Sequence, residues 1–247
     1  VKWTCASYKA TTAGGYNGFY MMWDPTYILI LVGVVLSMLA SARVKSTFSW
    51  FSRVRSMSGL TGAQTAQRIL DYAGIRDVRI VPISGSLTDH YDPGKKQVAL
   101  SESVYGQNSV AAIAVAAHEC GHVLQHANHY APLSIRSALV PVANFGSGAS
   151  WFFILGGILF SFQPLITAGI ILFSAAVLFQ IVTLPVEFNA SRRALGILQD
   201  TGILVPSETK GAKKVLKAAA LTYVASAAAA ILSLLRLIIL FGRKNDR

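Results

Sequence analysis

Charge is what this chain lacks. Only 13% of its 247 residues are Asp, Glu, Lys or Arg, about half the ~25% of an ordinary soluble domain. Hydrophobic residues make up 53%. The deficit is uneven. From Ser137 to Val186 there are fifty residues without one Asp, Glu, Lys or Arg, whereas Arg43 to Arg136 reads as ordinary globular sequence. Such a run excludes a purely soluble domain and points to membrane. Acidic residues are the scarcer sign, 11 against 22 basic, for a net charge of +11. In a soluble chain that surplus would suit nucleic acid. Here the basic residues gather beside apolar runs: Arg43, Lys45, Arg53 and Arg55; Arg192 and Arg193; Lys210, Lys213, Lys214 and Lys217; Arg243, Lys244 and Arg247. Positive charge flanking spans marks cytoplasmic loops, so the expected partner is the lipid bilayer and no nucleic acid. Cysteine is almost absent. Cys5 and Cys120 are the two, too few for a disulfide framework. Cys120 reads as a small buried filler.

The apolar runs predict four membrane helices. The first, Tyr27 to Ala42, falls slightly short of the ~20 residues of a full span. Trp23, Tyr27 and Arg43 can anchor its ends, giving a span over residues 25–43. A signal peptide is the rival, because Ala40-Ser41-Ala42 resembles a cleavage site. Asp24 stands where a positive n-region belongs, which favours an uncleaved anchor. The uncharged run suits two spans, 142–162 and 164–184, as a hairpin broken near Ser161-Phe162-Gln163-Pro164. A fourth, 218–242, carries Arg236 and an alanine-rich first half, so it is a span or a helix packed on protein. Orientation by charge puts residues 43–140 and 187–216 in the cytoplasm and the hairpin tip outside. The basic C-terminus fits this less well.

Residues 44–140 read as an α+β domain. Thr61-Gly62-Ala63-Gln64 has the form of a capping box opening a helix through Tyr72. DVRIVPI and KKQVALSE have strand composition, with a turn at Asp92-Pro93-Gly94. Asn108 or Ser109 then caps a helix over 109–127.

That helix and the residues just after it hold four of the five histidines, in AVAAHECGHVLQHANHY. His118 and His122 are one turn apart on one face, so both can offer a nitrogen to one ion. Glu119 is turned by one position, able to reach a water at that ion without ligating it. Zinc hydrolysis needs this division of labour, because the ion acidifies a water and a glutamate takes the proton. Gly121 keeps the helix slim for a close neighbour. The structural alternative is a buried helix with two satisfied histidines.

A third ligand must come from elsewhere. His126 continues the row but lies about 12 Å from His118 along the axis, too far for tetrahedral zinc. His129 is one residue beyond the third histidine of H-E-x-x-H-x-x-G-x-x-H, and Gln125 replaces its glycine. Asp89-His90 suits a turn or substrate strand better than a ligand. Glu187, where the chain returns from the uncharged run, is the remaining candidate. Its alternative is an interfacial carboxylate paired with Arg192 or Arg193.

FYMMWDPT, RSMSGLTGAQTAQRIL, LTDHYDPGKKQVALSESVY, AAHECGHVLQHANHYAPLSIRSALVPVAN and LPVEFNASRRAL, in that order, resemble the bacterial membrane-bound neutral zinc metallopeptidases of the YugP-like type. These are related in plan to HtpX-like and CAAX-prenyl-protease gluzincins. The resemblance runs from about Phe19 to Phe241. It implies a multi-pass α-helical membrane protein with an α+β zincin-like (gluzincin) metalloprotease domain. It further implies one Zn2+ per chain on His118, His122 and Glu187, with Glu119 as catalytic base. Segment 185–216 then carries the third ligand. In the wider pattern an aspartate follows that glutamate by four, where this chain has Ser191. Asn189, Arg192 and Arg193 become candidates for its orienting role. SGSLTDHYDP stands where related proteases keep an edge strand, which makes Asp89, His90 and Tyr91 candidate substrate contacts. His126 is a candidate for the site's surroundings. Residues 1–20 read as an N-terminal extension, expected to be disordered. The first 17 have no counterpart in the family and, without an initiating Met, read as upstream sequence.

The expected function is a cell-membrane zinc endopeptidase with its site facing the cytoplasm, cutting membrane or membrane-proximal polypeptides. The alternatives are an intramembrane (site-2-like) protease, with the motif inside a span, and a non-catalytic zinc-binding membrane scaffold.

Overall fold

The computed structural model describes residues 24–242, so the N-terminal extension lies outside the described residues. Seven helices and three strands follow in order: α1 Tyr27–Phe51, α2 Gly62–Tyr72, β1 Arg79–Ile83, β2 His90–Asp92, β3 Gln97–Ser101, α3 Glu102–Tyr105, α4 Val110–Ala127, α5 Ala131–Leu159, α6 Gln163–Asp200 and α7 Pro206–Phe241. Four of them, α1, α5, α6 and α7, are long and apolar enough to cross a membrane. Each outruns its apolar stretch at the domain end. α1 continues to Phe51, α5 starts at Ala131 rather than near 142, and α6 passes through Glu187 to Asp200. Segment 185–216 is therefore mostly helix. Hydropathy marks only the apolar part of each helix, while the added turns pack against protein. The starts of α5 and α7 are set by proline in the first turn, Pro132 and Pro206, where its missing N–H costs nothing.

The four helices run antiparallel in sequence. α6 returns along α5, and their seam is close because a side chain at Gly169 would meet the Ser150 carbonyl oxygen at 2.9 Å. Gln163 Nε2 donates to the Phe241 carbonyl oxygen at 3.0 Å, so the end of α7 lies beside the hairpin tip. The Arg236 guanidinium stacks over Tyr27 at 4.0 Å, tying the same end of α7 to the start of α1.

The α+β part sits at the other end. Its sheet has the order β1-β3-β2, with β1 parallel and β2 antiparallel to β3. β3 is almost wholly buried, as a central strand must be, and β2 forms an edge. The turn between β2 and β3 is closed by Asp92 Oδ1, which accepts from the Gly94 and Lys95 amides at 2.9 and 3.1 Å. The capping box at α2 forms in both directions, Gln64 N to Thr61 Oγ1 at 3.2 Å and Thr61 N to Gln64 Oε1 at 2.9 Å. Ser109 caps α4 by accepting from the Ala112 amide at 3.2 Å. The Glu208 carboxylate anchors the start of α7 by accepting from the Met57 and Val205 amides, at 2.7 and 3.2 Å.

α4 is the core element, buried along most of its length by α2, α3, the sheet, α6 and α7. Cys120 is fully buried with Sγ 3.7 Å from the Ala66 carbonyl oxygen, and burial pushes its thiol well above the usual range, so it is inert filler. Gly121 faces α6. A Cβ there would stand 2.5 Å from the Ala190 carbonyl oxygen, a backbone atom that cannot rotate away. Gly121→Ala is expected to force the two helices apart and to destabilise the protein by about 1–3 kcal/mol. A fall in the thermal unfolding temperature of purified protein in detergent checks this.

Candidate metal centre

α4 and α6 cross where Gly121 meets Ala190, and the crossing sets the three candidate ligands against one another. His118 Nε2 lies 3.1 Å, and His122 Nε2 3.6 Å, from Glu187 Oε2. All three ligand atoms fall within 4.8 Å of one another. Adjacent ligands on a tetrahedral ion with bonds of about 2.0–2.1 Å stand about 3.3 Å apart, so the spacing suits one zinc ion. The rings meet edge to face, with centroids 4.8 Å apart.

Residues behind the rings hold the other nitrogens. His122 Nδ1 is 3.0 Å from Gln125 Oε1. Gln125 is fully buried, and its amide nitrogen donates to the Val186 carbonyl oxygen at 2.7 Å and to Asn189 Oδ1 at 3.1 Å. Its oxygen must therefore accept from His122 Nδ1–H, which directs Nε2 at Glu187. Asn189 Oδ1 also accepts from Arg193 Nε at 2.8 Å, and that guanidinium lies 6.0 Å from the Tyr130 ring centre. Ser191 Oγ lies 3.2 Å from His118 Nδ1. Of the candidates for the missing aspartate's role, Asn189 and Arg193 act on His122 through Gln125. Arg192 is exposed and does not line the cleft, whereas Ser191 itself stands behind His118.

The electrostatics favour positive charge among these groups. Burial alone would lower the His122 pKa, but hydrogen bonding to Glu187 and the charges of Glu119 and Glu187 outweigh it and hold it above its ordinary value. Burial raises the Glu119 carboxyl above the usual carboxylate range, with His118 and His122 partly opposing. Glu187 is 2% exposed. Its paired cation is neither Arg192 nor Arg193; the nearest guanidinium is that of Arg136, with Nη2 4.0 Å from Oε1.

A cavity of about 550 Å³ opens over this cluster. Edge strand β2 forms one side with His90 and Tyr91, Asp89 lies just before it, and His126, His129, Arg136 and Tyr223 are among the other lining residues. Asp89 is committed to structure, its two oxygens accepting from the Ser101 amide at 2.7 Å and hydroxyl at 3.0 Å. Tyr91 Oη and His126 Nδ1 are 3.0 Å apart, pinning the edge strand to α4. His126 and His129 thus line the cleft without joining the ligand cluster. Sequence reasoning missed Gln125 as a partner of His122, though the three-residue spacing was visible. It also missed Arg136 and Tyr223, which only the packing of α5, α6 and α7 brings to the site.

Two imidazoles from one helix and a carboxylate from another, open on one side to a cleft, form a donor set of the His2Glu zinc class. Comparisons with known proteins agree. Residues 26–242 match the family described as "Putative neutral zinc metallopeptidase", and the chain belongs to that family. "Putative membrane protease YugP" of Bacillus subtilis (strain 168) is 51% identical over 218 residues, covering 88% of this chain and 97% of that protein. No solved structure matches.

Gln125→Leu removes the acceptor that fixes the His122 tautomer. Zinc affinity is expected to fall about 10–100-fold, as for other residues behind metal-binding histidines. Competition with a chelating dye, on protein whose circular dichroism matches wild type, measures it.

Proposed function

We propose that this chain is a multi-pass membrane zinc endopeptidase of gluzincin type. His118, His122 and Glu187 would hold one zinc ion per chain, and its substrates are polypeptides in or beside the membrane. The observation that carries the reading is the position of Glu119. It is buried beside the three-ligand cluster, faces the substrate-sized cleft, and is not needed as a ligand. Zinc, when bound, supplies Lewis-acid polarisation of a carbonyl and acidifies water. Glu119 accepts the proton from the attacking water and returns it to the leaving amine. Tyr223 and Arg136 flank Glu187 and offer donors to the substrate's carbonyl oxygens. The outer edge of β2 has no strand partner among the described residues, so an extended peptide can add to it by backbone hydrogen bonds.

The four long apolar helices support membrane spanning, and the positions of the basic residues support a cytoplasmic site. Arg43, Lys45, Arg192, Arg193 and Lys210 to Lys217 all belong to the domain ends of their helices, away from the hairpin tip. An intramembrane protease would need its motif inside a span, and α4 is not among the four candidate helices. A non-catalytic scaffold has no use for a carboxylate held at the cleft beside the ligands.

Glu119→Gln is expected to lower hydrolysis of an unfolded test protein by about 10²–10⁴-fold while zinc content stays near one ion per chain. Undiminished hydrolysis in the variant would overturn the proposal.

A further inference from the structure

A second space adjoins the cleft at Glu119. A recess of about 230 Å³ shares Asp89, His118, Glu119 and Tyr223 with the cleft, so the reacting groups stand where the two volumes meet. Its other walls are apolar. Val115 comes from α4, Val44 and Phe48 from α1, and Val215 and Leu216 from α7. Leu87 of the β1–β2 loop adds a half-exposed side chain, with its backbone at φ 58°, a left-handed conformation that a leucine holds only when its surroundings impose it.

The polar groups in this recess that are not reacting groups are already engaged. Both Asp89 oxygens are bonded to Ser101, and the Thr222 hydroxyl donates to the Ala219 carbonyl oxygen of its own helix at 2.7 Å. A charged or strongly hydrated guest would find no free partner away from the reacting groups. An apolar one would bury its surface at about 25 cal/mol per Å². Size is sufficient, since an apolar cavity of about 150 Å³ already takes up benzene.

We infer that this recess receives the side chain of the residue flanking the scissile bond, and that the substrates are polypeptides cut beside a large apolar residue of the leucine, methionine or phenylalanine class. The inference rests on the peptidase reading above and specifies its substrate. Its walls are the specificity-determining residues, and much of them comes from α1 and α7, the helices with long apolar segments. Selectivity is thus set largely outside the histidine motif.

The test is cleavage of a randomised decapeptide library by purified zinc-loaded protein in detergent, with sites read by mass spectrometry. Wild type is expected to cut beside Leu, Met or Phe. Ala219→Leu fills the recess and should shift cleavage toward Ala and Gly, lowering kcat/KM for a Phe peptide at least tenfold relative to its Ala counterpart. Val44→Ala enlarges the recess and should extend the preference to Trp. It supplies an independent result should Ala219→Leu fold poorly. In Glu119→Gln protein, a fluorescent Phe peptide should bind at least tenfold more tightly than its Gly counterpart, a readout independent of turnover. Hydrolysis with no apolar preference, or a preference for Lys or Arg, overturns the recess assignment and leaves the peptidase reading standing. Absence of any hydrolysis by the zinc-loaded wild type overturns the peptidase reading itself.

Discussion

Two imidazole lone pairs and a carboxylate oxygen converging inside protein are an unfavourable arrangement unless positive charge lies among them. Glu187 Oε2 stands 3.1 and 3.6 Å from the two Nε2 atoms, and the surrounding structure is built to hold that convergence. Gly121 lets α6 approach the motif helix. Gln125 and Ser191 stand behind the rings. Arg136 approaches the carboxylate oxygen that the rings do not use. These supports come from α4, α5 and α6 together, so the site is a property of the helix crossing rather than of the H-E-x-x-H segment.

The crossing also joins two kinds of helix. α4 belongs to the α+β part and is shielded by protein, whereas α6 continues from an apolar run whose surface is largely open, with Ile171, Leu178 and Ile181 exposed. Exposed side chains of this size on a long apolar helix are what a lipid-facing surface looks like. The cleft lies at the junction of these environments. One side is an edge strand suited to an extended peptide, and the other is helix surface near the start of the apolar stretches.

Much of this was legible in the sequence for identifiable reasons. The capping box, the Ser109 cap and the i, i+4 histidines are local patterns, and local hydrogen bonding enforces them. The uncharged run signalled a hairpin because it is long enough for two apolar helices and is broken near Ser161-Phe162-Gln163-Pro164. That Glu187 would meet the two histidines was legible because carboxylates are rare here and this one appears at the end of that run. Helix lengths were not legible, since the apolar runs end before the helices do and the remaining turns continue against protein. The aspartate missing from position 191 suggested that Asn189, Arg192 or Arg193 takes over. The geometry instead places serine behind His118 and glutamine behind His122. Arg136 and Tyr223 carry no local signal at all, because their roles arise from which faces of α5 and α7 turn toward Glu187.

Sixty-four residues lie between His122 and Glu187, and nearly all of them form the α5–α6 hairpin. During synthesis the two histidines and Glu119 leave the ribosome well before the residue that completes their cluster. A chain halted anywhere in the hairpin has the motif and no site. The three-residue cluster is therefore withheld until the second helix has returned along the first, which makes formation of the hairpin the step that assembles it.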